Sequence, residues 1–249
     1  MVNSNQSRDY TETLKNKIIK SGADLCGIAS VASLTGLETS PVDLFTHFTS
    51  AISIAVALPK SVFSGITDRP TPIYNAVYQT ANRLLDEIAF NAARLLEKDG
   101  FSALPVPASQ TLDRDKWYGA ISHKAVARMA GLGWQGKSLL LVTREFGPRV
   151  RLATIPTDAE LAGDNPTANL CGECTACRDA CPAAAIKGVG TESHYKNREE
   201  ALYFSKCVGK LYNEFAKIPD VGNGTCGICI EACPFSNQST RLKYGRKAN

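Results

Sequence analysis

Eight of the chain's nine cysteines lie between Cys171 and Cys233, and their spacing leaves that region few ways to fold. The first four read Cys171-Gly-Glu-Cys174-Thr-Ala-Cys177-Arg-Asp-Ala-Cys181-Pro182, a C-x2-C-x2-C-x3-C-P run. The second four are Cys207 and then Cys226-Gly-Ile-Cys229-Ile-Glu-Ala-Cys233-Pro234. Thiolates two residues apart can wrap one face of a cubane, while the x3 step and its proline turn the chain toward a neighbouring centre. Zinc sites usually separate their CxxC pairs by about a dozen residues or more. Here Cys171 to Cys181 already hold four thiols in a single run. Disulfide frameworks belong to small secreted chains, and this one is not small. The spacing predicts two [4Fe–4S] clusters, each completed by a cysteine from the other run. Cys171, Cys174, Cys177 and Cys233 are assigned to one cluster, and Cys181, Cys207, Cys226 and Cys229 to the other.

The chain of 249 residues is 44% hydrophobic, enough for a sizeable core in one or two domains. It holds no run of eighteen or more apolar residues, so no membrane-spanning helix is expected. The first residues carry neither a charged-then-apolar leader nor a twin-arginine pair, which favours a reducing, cytoplasmic setting. The formal charge of +4 would be roughly cancelled by two oxidised clusters at about −2 each. Arg241, Lys243, Arg246 and Lys247 form a basic tail, read as solvated.

Ahead of the cysteines the pattern is mixed helix and strand. Asp9-Tyr-Thr-Glu12 has the form of a capping box, and a helix then runs to Gly22. Short strands follow at 24–29 and 51–58, the second with Ile52, Ile54 and Val56 alternating with small residues. A short helix is expected over 41–48. Thr71-Pro72 opens a long amphipathic helix that ends at Gly100. Further strands are expected at 101–107, 138–143 and 149–157, the last two as a hairpin-like pair, with a helix capped by Ser122 before them. A polar stretch over 161–169 marks a boundary, giving domains over 1–160 and 161–249. Thr191 to Phe215 reads as mostly helical and carries Cys207. Cys26 reads as a small buried hydrophobe and His194 as a surface residue, neither as a ligand.

Gly131-Leu-Gly133-Trp-Gln-Gly136 matches G-x-G-x-x-G, but a helix precedes it and a strand follows. A dinucleotide fingerprint needs the reverse order. The glycines therefore read as a helix stop and tight turn, whose small residues could also let backbone press on a flat cofactor.

The segment Ala125-Val-Ala-Arg-Met-Ala-Gly-Leu-Gly-Trp-Gln-Gly-Lys137, then Arg151-Leu-Ala-Thr-Ile-Pro-Thr-Asp158, then the cysteine array, resembles the epoxyqueuosine reductase family. The motif order covers the chain from Ala51 to Pro234. The resemblance implies an α/β (α+β) nitroreductase-like domain and a C-terminal ferredoxin-like domain, with base-off cobalamin between them. It implies a core shared with reductive dehalogenases and a ferredoxin- or flavodoxin-type electron donor. Candidate cobalamin contacts on this basis are Trp117, Gly131, Gly133, Trp134, Gly136 and Lys137.

Two departures accompany the resemblance. The family's Asp-x-x-Pro-Val-x-Glu segment falls here on Trp117, Ala120 and His123, so its proton-donating aspartate is a tryptophan, which offers only an indole N–H. Tyr118 and His123 are the candidate replacement acids, with Asp113 and Asp115 nearby. The family's helical-repeat extension, used to hold transfer RNA, does not follow the cysteines. Both departures point away from epoxyqueuosine and transfer RNA, toward a small-molecule or corrinoid substrate. The expected function is an iron–sulfur, cobalamin-dependent reductase. Two alternatives stand beside it: an electron-transfer or corrinoid-reducing partner without its own substrate, and an epoxyqueuosine reductase with a displaced donor.

Overall fold

A computed structural model describes residues 4–222 and 224–237. The basic tail lies outside these residues. Three strands, β1 (Leu25–Ser30), β2 (Ser50–Ala57) and β5 (Val150–Thr157), form an antiparallel sheet in the order β1-β2-β5. Ile54 sits between Cys26 and Ala153 in register. The alternation along β2 explains the layers on either side. Ile52, Ile54 and Val56 point into a core shared with Leu14 and Ile18 of α1 (Ser4–Lys20) and with Leu85 and Ile88 of α2 (Pro72–Lys98). The small Ala51 and Ala55 face the opposite way, against Val126, Ala127 and Ala130 around α3 (His123–Met129). Small residues on that face let α3 come close: a Cβ on Gly27 would lie 2.2 Å from the Ala130 carbonyl. A strand buried on both faces reads as a near-continuous apolar run, which β2 does.

The helices start and stop where side chains satisfy their free backbone groups. Thr71 accepts the Tyr74 amide at the head of α2, and Ser122 accepts the Ala125 amide at the head of α3. Gly22, at φ +115°, follows α1 as expected. The capping box does not form, because α1 begins at Ser4 and Asp9 lies inside it. Residues 41–48 make turns rather than a helix. The stretch 101–107 is no full strand: Ala103 and Val106 make single bridges to Thr157 and Thr154. They cover the outer edge of β5, as Asp164 covers β1 through bonds with both backbone groups of Ile28.

The expected hairpin between 138–143 and 149–157 is absent. Instead β3 (Trp134–Gln135) pairs with β4 (Leu141–Val142), folding the glycine block onto itself, while β5 is taken by β2. With β2 on one edge and the bridges from Ala103 and Val106 on the other, β5 has no free edge for β4.

The cysteine region has a small core of its own, in which Leu139, Ile186, Tyr195, Ala201 and Leu202 pack around Cys177, Cys181 and Cys229. Its helices are single turns or little more: α4 (Ala176–Asp179), α5 (Arg198–Ala201), α6 (Phe204–Gly209), α7 (Ile228–Glu231) and α8 (Pro234–Asn237). Helix covers 198–201 and 204–217, the latter including a π turn over Lys210–Glu214, but not 191–197. Buried Arg149 joins this region to the sheet, donating to the carbonyls of Ser236 and Leu58. At Gly147, φ +58°, a Cβ would meet the backbone of Phe235 at 2.5 Å, so the contact requires glycine.

Candidate redox site

The fold gathers the eight cysteines into two neighbouring groups. Burial pushes Cys177 up to about 11, with Cys171, Cys233 and Cys174 adding to the rise. Cys226 is likewise raised by burial to about 11, and there Cys207 and Cys181 add to it. Cys229 is pushed well above the ordinary thiol range, mainly by burial, then by Cys226, Cys207, Cys177 and Cys181. Cys177 thus lies within electrostatic reach of Cys171, Cys174 and Cys233, Cys226 within reach of Cys207 and Cys181, and Cys229 within reach of cysteines from both runs. Thiolates held this way without a cation repel one another; a metal centre removes the penalty.

All eight donors are cysteine thiols, the ligand type of [4Fe–4S] clusters. Among the described residues, no three or more His, Cys, Asp or Glu side chains converge tightly enough to hold one metal ion. N–H groups also point at the sulfurs. The amide of Ala185 donates to Cys181 Sγ at 3.4 Å, and the amides of Phe235 and Ser236 donate to Cys233. Such bonds stabilise the ligated thiolate.

The glycine block serves this centre. Trp134 is fully buried, and its Nε1–H donates to Cys171 Sγ at 3.4 Å. Its ring meets Phe235 edge-on at 4.9 Å. Buried Lys137 donates to the Cys174 carbonyl at 3.0 Å. A Cβ on Gly133 would lie 2.1 Å from the Val142 carbonyl, on Gly131 2.7 Å from Asn165, and on Gly136 2.8 Å from the Val142 side chain. Gly131, Gly133, Trp134, Gly136 and Lys137 make these protein contacts, and none of the five lines the large cavity. Trp117 alone of the six faces the molecule's large cavity.

That cavity, of about 990 Å³, lies between the sheet unit and the cysteine unit. Its walls include the loop 33–40, the loop around Trp117 and Tyr118, α3, Arg151 of β5, and Phe204 and Ile230 beside the second quartet. Trp117, at φ +58°, stacks on Tyr212 of the π turn at 4.4 Å, roofing one side. Tyr118 is partly exposed at the wall, with the Arg198 guanidinium 5.0 Å over its ring. His123 is differently placed. Its Nδ1 lies 2.8 Å from Thr154 Oγ1 and its Nε2 3.0 Å from the Pro107 carbonyl. The carbonyl can only accept, so Nε2 carries the hydrogen and Nδ1 takes the threonine's. Burial lowers the ring's pKa to about 4. A neutral imidazole with both nitrogens engaged is a brace at neutral pH and a poor acid there.

Three other cavity residues were given no site role in the sequence. Lys124, Arg151 and Arg198 converge from three separate segments, and only the tertiary fold brings them together. Cys26 packs against the apolar core, where burial raises it to about 12. His194 is exposed at the cavity rim, bonded to Ser193.

Residues 170–236 match the family described as 4Fe-4S double cluster binding domain, which defines the class: an iron–sulfur protein with two cluster sites. The resemblance noted in the motifs extends to particular relatives. A stretch of 131 residues, 51% of this chain, is 34% identical to an epoxyqueuosine reductase of Gloeobacter violaceus, covering 39% of it. Another of 120 residues, 47% of this chain, is 38% identical to the enzyme of Lactococcus garvieae, covering 33%. Over 138 residues, 54% of this chain, it is 34% identical to the tetrachloroethene reductive dehalogenase of Dehalobacter restrictus, covering 23%. The chain thus spans about two fifths or less of these relatives' length. In fold it follows a solved epoxyqueuosine reductase with a TM-score of 0.60 at 23% identity, over 93% of this chain and 67% of that one. It follows a catabolic reductive dehalogenase, solved with 3-bromo-4-hydroxybenzoic acid, with a TM-score of 0.74 at 19% identity, over 94% and 33%. The chain is similar to iron–sulfur reductases of both kinds. No helix among the described residues is long and apolar enough to cross a membrane.

Proposed function

We propose that this protein is an iron–sulfur reductase that uses base-off cobalamin held in the cavity, with two [4Fe–4S] clusters as its electron supply. The sheet unit, up to about residue 160, would be the nitroreductase-like domain, and residues 161–249 the ferredoxin-like domain. One observation carries the reading: the large cavity is walled on one side by the sheet unit and on another by Phe204 and Ile230, which flank ligands of the second quartet. The residues fit a broad cofactor: Trp117 and Tyr118 offer flat surfaces, and the loop 33–40 supplies backbone. A solved reductive dehalogenase of the same fold is described as B12-dependent. The corrinoid would supply a strongly reducing metal centre, and the protein supplies position and protons.

Electrons would enter at the first quartet, where Cys174 is exposed, from a ferredoxin- or flavodoxin-type donor. They would leave from the second, which adjoins the cavity. Tyr118 is the proposed proton donor, since its phenol reaches the wall and Arg198 places a positive charge beside it. Anaerobic addition of hydroxocobalamin to the cluster-loaded protein should give a base-off spectrum with about one corrinoid per chain. Absence of binding would sink the proposal.

The braced, neutral His123 and the tryptophan at position 117 favour a second reading, a corrinoid-reducing partner with no substrate of its own. Reduction of cobalamin without turnover of any epoxide or organohalide would select it. Epoxyqueuosine reduction with a displaced donor would rest on Asp113, which faces the cavity. A relative was solved with an epoxyqueuosine-modified tRNA stem loop. Unchanged queuosine in a deletion strain would exclude that role here.

A further inference from the structure

Charge around the cavity is one-sided. Lys124, Arg128, Arg151, Lys196 and Arg198 face it, against the carboxylates of Glu38 and Asp113. Both acids are engaged elsewhere. Glu38 pairs with Lys116 at 3.7 Å, and Asp113 accepts the amides of Asp115 and Lys116 at 2.9 and 2.8 Å. Of the cations, Arg198 pairs with Glu199 at 3.2 Å, and Arg128 is bonded to Ser193.

Arg151 and Lys124 are different. Arg151 donates from Nε to Asn82 Oδ1 at 2.8 Å and from Nη2 to the Ala108 carbonyl at 3.4 Å, and lies 4.2 Å over the Tyr78 ring. These partners hold the guanidinium plane but carry no formal negative charge. Lys124 makes no hydrogen bond or ion pair with any described residue. Burial lowers its pKa to about 8, Arg151 pushes the same way, and the thiols of Cys207 and Cys229 oppose. A half-buried ammonium lining the same cavity as a fixed guanidinium, neither paired with a carboxylate, is costly until an anion arrives.

We propose that Lys124 and Arg151 form an oxyanion subsite of the cavity, which takes the carboxylate or phosphate group of a small ligand. The preset guanidinium supplies planar, directional donors, and the flexible ammonium supplies a point charge. The inference rests on reading the cavity as the ligand site and does not need the corrinoid. The competing role for Lys124 is balancing the charge of the neighbouring cluster.

The test is calorimetric titration, at low ionic strength and without corrinoid, of the protein carrying both clusters. Benzoate, inorganic phosphate and uncharged benzamide are the probes. Saturable binding of an anion but not of benzamide is expected, weakened about tenfold or more in Lys124→Gln and largely kept in Lys124→Arg. Preference for benzoate assigns a carboxylate group, and preference for phosphate a phosphoryl group. Binding of neither anion, or equal affinity in wild type and Lys124→Gln, overturns the subsite. So does a shifted cluster midpoint potential in Lys124→Gln with anion affinity unchanged, which makes Lys124 the cluster's counter-charge. Cobalamin binding, measured separately on the same samples, separates the two readings: bound cobalamin without anion binding defeats only the subsite. Anion binding without cobalamin defeats only the corrinoid reading.

Discussion

Trp134 was expected among the cofactor contacts, and its buried indole N–H donates to Cys171 Sγ. A donor to a ligating sulfur stabilises the more negative, reduced state. Trp134→Phe should therefore lower the first cluster's midpoint potential. A loss of about 1 kcal/mol corresponds to roughly 40 mV for one electron, and a redox titration followed by electron paramagnetic resonance would read it. His123 gives a second prediction. Its folded pKa of about 4 lies below the ordinary 6.5, so between those values the unfolded chain binds the extra proton. Stability falls as pH drops through that window, by at most about 1.4 kcal/mol per pH unit. Denaturant titrations at pH 7 and pH 5 should show wild type losing more stability than His123→Gln. The cysteines were legible because cubane geometry fixes their spacing along the chain. Lys124 and Arg151 were not, because nothing local links them; the sheet and α3 bring them together.

The sheet's central strand was readable for a related reason. Alternation of Ile52, Ile54 and Val56 with alanine and serine encodes two faces of different depth, and the helices settle accordingly. The long helix and the Ser122 cap were legible through their end signals. The β3–β4 hairpin was not, since two-residue strands leave no periodicity to detect and their partner choice depends on β5 being occupied. Close approach there leaves no room for a methyl group. Gly133→Ala would place its Cβ 2.1 Å from the Val142 carbonyl, forcing the hairpin apart at a cost of about 2 kcal/mol or more. Chemical denaturation should show this, together with disturbed spectra from the cluster at Cys171.

The whole molecule is two units stitched by Arg149 and Gly147, with redox centres on one side of the seam and a cavity along it. Interleaved ligation, as expected from the spacing, would tie the two cysteine runs into one object. Cys181 belongs by sequence to the first run, while the thiols of Cys207 and Cys226 feel its charge. Cys181→Ser should therefore cost the protein about half its iron while leaving the spectrum of the Cys171 cluster in place. Loss of that cluster instead, by iron assay and electron paramagnetic resonance, would refute the interleaving. The contacts of Arg149 and Gly147 with the cysteine-bearing segment were not legible in the sequence, because they depend on groups brought from both halves of the chain.

The stack of Trp117 on Tyr212 joins a loop of one unit to a turn of the other at the cavity's roof. The chain has two tryptophans, and the second is packed against a cluster ligand. Iron–sulfur centres absorb broadly where indoles emit, so Trp134 should be dark in the loaded protein. The remaining ultraviolet emission would come from Trp117. The protein thus carries its own optical gauge of whether the roof is closed, and each ligand that enters the cavity should register on it without any label.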